Sequence, residues 1–122
     1  MTKRPFRLTR PEPKESQVLR AVLHALSVHP AVGQVWRVNS GAGKLMRKNG
    51  ESQWIRFGFA GLPDIAGYLK GGKAIFCEVK RPSGKESEEQ KTFIDAARKA
   101  GCVAFVARRV EDVFEELNKE VA

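Results

Sequence analysis

Residues 73–80, Lys-Ala-Ile-Phe-Cys-Glu-Val-Lys, constrain this chain more than any other segment. Ala74-Ile75-Phe76-Cys77 is continuously apolar and lacks the alternation of a half-buried strand. Such a run suits a strand covered on both faces, as inner strands of α/β sheets are. The next 27 residues, 81–107, narrow the class. Ser87 to Ala100 reads as a helix, opened by Ser87-Glu88-Glu89-Gln90 in the form of a capping box and closed by Gly101. Cys102 to Ala107 is a second apolar strand. Strand, helix, strand in that order make a βαβ unit, with parallel strands and a right-handed crossover.

The rest of the chain fits around that unit. Residues 1–13 are basic, contain Pro5, Pro11 and Pro13, and read as a flexible arm. A helix is expected from about Pro13 to Val28, with Val18, Leu19, Val22, Leu23 and Leu26 at helical spacing. Pro30 and Gly33 end it. Gln34 to Val38 reads as a strand, Ser40 to Lys44 as a glycine-rich turn, and Leu45 to Arg47 as the margin of another strand. Asn49-Gly50 is a hairpin signal, since both residues tolerate the positive φ of a type I′ turn. The return strand is Ser52 to Phe57. After the loop Gly58 to Pro63, Asp64 to Leu69 forms a strand that turns through Lys70-Gly71-Gly72 into the central one. Val110 to Leu117 is a final short helix. The order α-β-β-β-β-α-β-α describes one small α/β domain, a mixed central sheet flanked by helices, over residues 14–120.

Composition bounds the function. No apolar run approaches the roughly 20 residues of a membrane-spanning helix. The basic N-terminus has no apolar stretch behind it, so it does not read as a signal peptide. Cys77 and Cys102 lie within apolar runs, as free thiols in a reducing cytosol do, and with two histidines they make no zinc spacing. The 22 basic residues exceed the 14 acidic ones, for a net charge of +8. The first half carries most of this excess, which suggests one basic surface suited to a polyanion such as nucleic acid.

The chemistry concentrates where the apolar run ends. Glu78 and Lys80 are two apart on a strand, so they project from one face. On their own, they also fit a strand that has left the core and ends in water. Asp64 changes the balance. If the strands joined by Gly71-Gly72 pair as a hairpin, Asp64 and Glu78 meet at its open end, with the 13 residues Ile65 to Cys77 between them. Neighbouring carboxylates repel, which raises one pKa or recruits a cation. A hard ion such as Mg²⁺ takes such oxygens together with water and phosphate. Lys80 beside it could neutralise developing negative charge.

Pro63-Asp64 followed by Glu78-Val79-Lys80 resembles the PD-(D/E)XK nuclease signature. The flanking Gly61-Leu62-Pro63-Asp64, Glu78-Val79-Lys80-Arg81-Pro82-Ser83-Gly84, Ser87-Glu88-Glu89-Gln90 and Gly101-Cys102-Val103-Ala104 resemble the VRR-NUC (virus-type replication-repair nuclease) family in order and spacing, as does Glu15-Ser16-Gln17. The resemblance spans roughly Glu15 to Val113. It implies a restriction-endonuclease-like core and a metal-dependent endodeoxyribonuclease using Mg²⁺ or Mn²⁺. Asp64, Glu78, the Val79 carbonyl and Glu15 would stand at the metal, with Lys80 and Gln90 completing the catalytic set. It further implies a homodimer cutting branched DNA such as four-way (Holliday) junctions, in the cytoplasm of a bacterial cell, the gene being bacterial or phage-borne.

Gln90 leads the apolar positions Phe93, Ile94 and Ala97, and also completes the capping box. Glu15 leads the first helix's stripe, and is also a favourable acid at a helix N-terminus. Lys44, Arg47, Lys48 and Arg56 on the hairpin, with Arg81, are candidate DNA contacts, or a solvated surface. Trp36 and Trp54 are expected in the core or a dimer interface rather than stacked on bases. His24 and His29 are expected to be structural or exposed. Gly41-Ala42-Gly43-Lys44 lacks the Walker spacing, so no nucleotide cofactor is expected. The rival functions are a branched-DNA-binding module that does not cut, and a nuclease acting on flaps or ends or in restriction.

Overall fold

The computed structural model describes residues 11–39 and 41–121, and leaves the side chains of residues 41–43, 56, 57 and 121 undescribed. Along the chain come α1 (Glu15–Val28), β1 (Val32–Arg37), β2 (Gly41–Met46), β3 (Ser52–Phe57), β4 (Ile65–Leu69), β5 (Ala74–Val79), α2 (Glu88–Lys99), β6 (Val103–Ala107) and α3 (Val110–Val121). The strands form a four-stranded sheet in the order β1-β4-β5-β6 and a separate two-stranded ribbon of β2 and β3. β4 is antiparallel to β1 and β5, whereas β6 is parallel to β5. This is the mixed α/β sheet flanked by helices that the sequence implies.

Alternation along the strands sorts the side chains into two layers. Ile65, Leu69, Ile75, Cys77, Val79, Val103, Phe105 and Ala107 meet Val18, Val22 and Leu26 of α1 and Val113 and Leu117 of α3. Burying each large side chain there contributes roughly 1.5–3 kcal/mol relative to exposure. On the other face, Ile94 and Ala97 of α2 pack on Ala104, with Phe76, Phe93 and Cys102 around them. Phe76 and Phe93 meet edge to face at 5.1 Å between ring centres.

The helix ends follow from local chemistry. The Ser87 hydroxyl accepts from the Gln90 N–H at 3.2 Å, and Gln90 Oε1 accepts from the Ser87 N–H at 2.8 Å. At the other end of α2 the N–H groups of Gly101 and Cys102 donate to the carbonyls of Arg98 and Ala97, a Schellman closure. His29 caps α1, its Nδ1 accepting from the Ala31 N–H at 3.1 Å and its ring lying 6.0 Å from Phe114.

Four expectations need correction. The segment Gly41–Met46, read as a turn with a strand at its margin, is a full strand, giving five strands before α2. Its pairing with β3 runs unbroken from Met46↔Ser52 to Gly41↔Phe57, so cross-strand bonding overrides glycine's poor strand propensity. The turn itself is not type I′. Among the described residues only glycines have positive φ, and here it is Gly50, at 85°. The Gly50 N–H donates to the Arg47 carbonyl and the Arg47 N–H to the Glu51 carbonyl, the pattern of a three-residue loop closed by a left-handed glycine. The last helix runs four residues past Leu117, because polar Asn118 to Glu120 extend it without any apolar signal and Lys73 Nζ pairs with Glu120 at 2.9 Å. Finally, Trp36 and Trp54 are 46% and 73% exposed, so the core half of their expectation falls, while such exposure is compatible with the dimer interface that was its other half. Of the basic arm, residues 1–10 lie outside the described part. Glu12 is tied down: its carboxylate accepts from the Ser83 hydroxyl at 2.9 Å and from the Ser83 N–H.

Candidate metal centre and active site

Asp64 immediately precedes β4, and two backbone bonds fix its position. Its carbonyl accepts from the Val38 N–H at 2.7 Å, and its Oδ2 accepts from the Val79 N–H at 2.8 Å. The loop leading to it is packed against α2. Gly61 has φ of +88°, and a Cβ there would collide with the Glu89 carbonyl in the first turn of that helix. The antiparallel register Ile65↔Cys77 then sets Asp64 beside Glu78, as expected of a hairpin turning at Gly71-Gly72.

Glu78 is not at a solvated strand end. It is 2% exposed, the one buried charged residue among those described. Cys77 and Val79 on either side point into the layer under α1 and α3, so Glu78 faces the opposite way, toward the side that α2 covers. Gln90 Nε2 donates to Glu78 Oε1 at 3.1 Å, and Lys80 Nζ stands 3.7 Å from the same oxygen. Gln90 therefore caps α2 and contacts Glu78 at once, so the two readings of this residue are not alternatives. Glu15, the first residue of α1, completes the group: one carboxylate oxygen from each of Glu15, Asp64 and Glu78 lies within 4.8 Å of the others.

Such crowding has an electrostatic consequence. Burial, followed by the hydrogen bond and the charge of Asp64, pushes the Glu78 carboxyl up from 4.5 to about 9. Lys80 pulls it down and Glu15 raises it further. Burial and the two neighbouring carboxylates together outweigh the single ammonium of Lys80.

Residues 12–111, more than half of the chain, match the VRR-NUC domain. The chain belongs to the VRR-NUC family. No curated protein matches it. A VRR-NUC domain is a nuclease-type domain acting on DNA, and here it carries a carboxylate cluster at the C-terminal end of β5.

The cluster fits a hard divalent cation on its own chemistry. Its donors are all carboxylate oxygens, the set preferred by Mg²⁺ and Mn²⁺, and a bound cation would offset both the burial and the neighbouring charge that hold the proton on Glu78. Cys77 and Cys102 are free thiols in the two packed layers.

The remaining expected residues are dispersed. Val79 sends its side chain into the core and its amide to Asp64. Lys44, Arg47, Lys48 and Arg81 are exposed. The Arg56 side chain lies outside the described part of this VRR-NUC chain. Two residues that shape the site escaped the sequence reading. Arg108 donates from Nε and Nη2 to the Gly84 carbonyl at 3.2 and 3.0 Å, and Glu12 holds Ser83. Both fasten the loop after Lys80. A signal for Arg108 existed: β6 runs parallel to β5 with Ala107 opposite Val79, so the next residue must border that loop.

Proposed function

We propose that this protein is a divalent-metal-dependent, structure-specific endodeoxyribonuclease that hydrolyses phosphodiester bonds in branched DNA, four-way junctions in particular. Asp64, Glu78, Glu15 and the Val79 carbonyl would hold Mg²⁺ or Mn²⁺. The ion, when bound, supplies positive charge to a phosphate oxygen and lowers the pKa of a water. The protein's own groups do the rest. Val79 N–H and Gln90 Nε2 keep the Asp64 and Glu78 carboxylates oriented. The Lys80 ammonium stabilises negative charge gathering on the phosphate as water attacks phosphorus and the P–O bond to the leaving strand breaks. The observation that carries this reading is a buried Glu78 facing two other carboxylates, with Lys80 beside it.

The test is cleavage of labelled four-way junction, flap, single-stranded and linear duplex DNA by wild type and Glu78→Ala, each with EDTA, Mg²⁺ or Mn²⁺. Wild type should cut only with metal and prefer the junction. Glu78→Ala should lose on the order of 100-fold or more, with an unchanged circular dichroism spectrum. Undiminished cutting by the variant defeats the assignment. Tight junction binding without cutting by either protein converts the reading to a binding module.

The same reading includes a homodimer, because a junction has two symmetric cleavage points and a two-fold pair supplies two sites. Sedimentation should give twice the chain mass; a fully active monomer rejects it.

A further inference from the structure

The β2–β3 ribbon takes no part in the four-stranded sheet. A two-stranded ribbon is marginal in water unless something covers it. This one displays Leu45, Met46 and Trp54, and Trp54 at 73% is the most exposed of the described large apolar side chains. The register sets Lys44 directly opposite Trp54 and Met46 opposite Ser52, so Lys44, Met46 and Trp54 share a face. Residues 41–57 contain four basic side chains and one acid. An exposed indole opposite a lysine on a ribbon of basic composition suits a surface that stacks on bases while its charges follow the backbone.

The ribbon is also rooted at the right place. It leaves the sheet just after Val38 and returns just before Asp64, and those two residues are hydrogen-bonded at 2.7 Å. Strands of six residues reach about 20 Å from that root. A nucleic acid with a phosphate at the carboxylates would have its neighbouring nucleotides within about that reach of the ribbon's root.

Resting on the nuclease reading, we infer that the ribbon is a specificity element in which the Trp54 indole stacks on an unpaired DNA base and Lys44 contacts the adjoining phosphate. Bases in an intact duplex are already stacked on both sides and offer no free face to an indole. Single strands and branch points do. The ribbon thus favours branched or single-stranded DNA over continuous duplex without reading sequence. A second copy of the chain fits the surface less well, since a symmetric contact would press two ribbons of the same sign together.

The test is binding in EDTA, where hydrolysis is silent, using a Trp36→Phe protein so that Trp54 alone fluoresces. Trp54 emission should be quenched by single-stranded and junction oligonucleotides, and far less by linear duplex. Trp54→Ala should weaken binding to the first two by roughly tenfold, the loss expected for one base stack, and change duplex binding less than twofold. Trp54→Phe should restore most of it. A melting curve checks that each variant is folded, and the quenching experiment needs no change at Trp54. Absent quenching, equal quenching by duplex, or equal weakening on all DNAs overturns the inference. So does a Trp54→Ala protein of half the wild-type mass in solution, which assigns the ribbon to a partner copy. Selective quenching in a protein that never cuts would uphold the ribbon's role and reject the hydrolytic reading alone.

Discussion

A carboxyl whose pKa is raised to about 9 by burial and by Asp64 binds its proton more tightly in the folded chain than in the unfolded one, where the value is 4.5. Between those two values the native state holds this extra proton, so the stability that Glu78 contributes is complete below pH 4.5 and is lost as pH rises toward 9. In EDTA the melting temperature should therefore decline from pH 5 to pH 9. Mg²⁺ or Mn²⁺ should restore most at the alkaline end, because the cation replaces the proton. Glu78→Gln should flatten the profile and melt several degrees higher than wild type in EDTA at pH 8, while losing cleavage. An identical pH slope in Glu78→Gln would remove Glu78 as its source. Lys80→Ala separates binding from chemistry: Mn²⁺ affinity by calorimetry should survive while cleavage falls on the order of 100-fold. The pairing of Asp64 with Glu78 was legible in the sequence, because a tight Gly-Gly turn and a two-residue spacing leave few arrangements. The burial of Glu78 was not. It depends on the cover of α2, whose Gln90 comes from 12 positions along the chain, while the third carboxylate, Glu15, comes from α1, 63 positions back.

Among the elements, α2 does most to join fold and site, because Gln90 serves its N-terminus and Glu78 together. Gln90→Ala keeps the Ser87 cap but loses the bond from the Ser87 N–H, which should cost about 1 kcal/mol of stability and reduce activity as well. Gln90→Glu keeps the capping box but sets another carboxylate against Glu78. Its melting temperature in Mg²⁺ should stay near wild type while kcat/KM drops; a parallel fall in both would make Gln90 purely structural. The βαβ unit and the β4–β5 hairpin could be read from sequence, since each joins neighbours through a short, chemically marked connection. The pairing of β1 with β4 could not, because residues 38–64 separate the strands and no local pattern ties them. β2 was hidden by its glycines, whose propensity opposes the strand that its register with β3 imposes.

For the molecule as a whole, the net charge of +8 sets how it meets a polyanion. If six phosphates are engaged, DNA affinity should fall on the order of 1,000-fold between about 50 and 200 mM salt. A nearly flat salt dependence would mean that the basic side chains do not face DNA. Base stacking by Trp54 should survive that titration better than phosphate contacts do, so preference for unpaired DNA should widen as salt rises. The bond between Val38 and Asp64 joins the two ends of the ribbon's connection to the sheet. Because it closes the neck of the excursion spanning residues 39–63, what lies beyond the neck adds little closure entropy however long it grows. The neck is thus a natural splice point: cutting out residues 41–57, or grafting a foreign module in their place, should leave the three carboxylates where they are. A lineage could then change which DNA shapes it accepts by exchanging this appendage, with the hydrolytic machinery untouched.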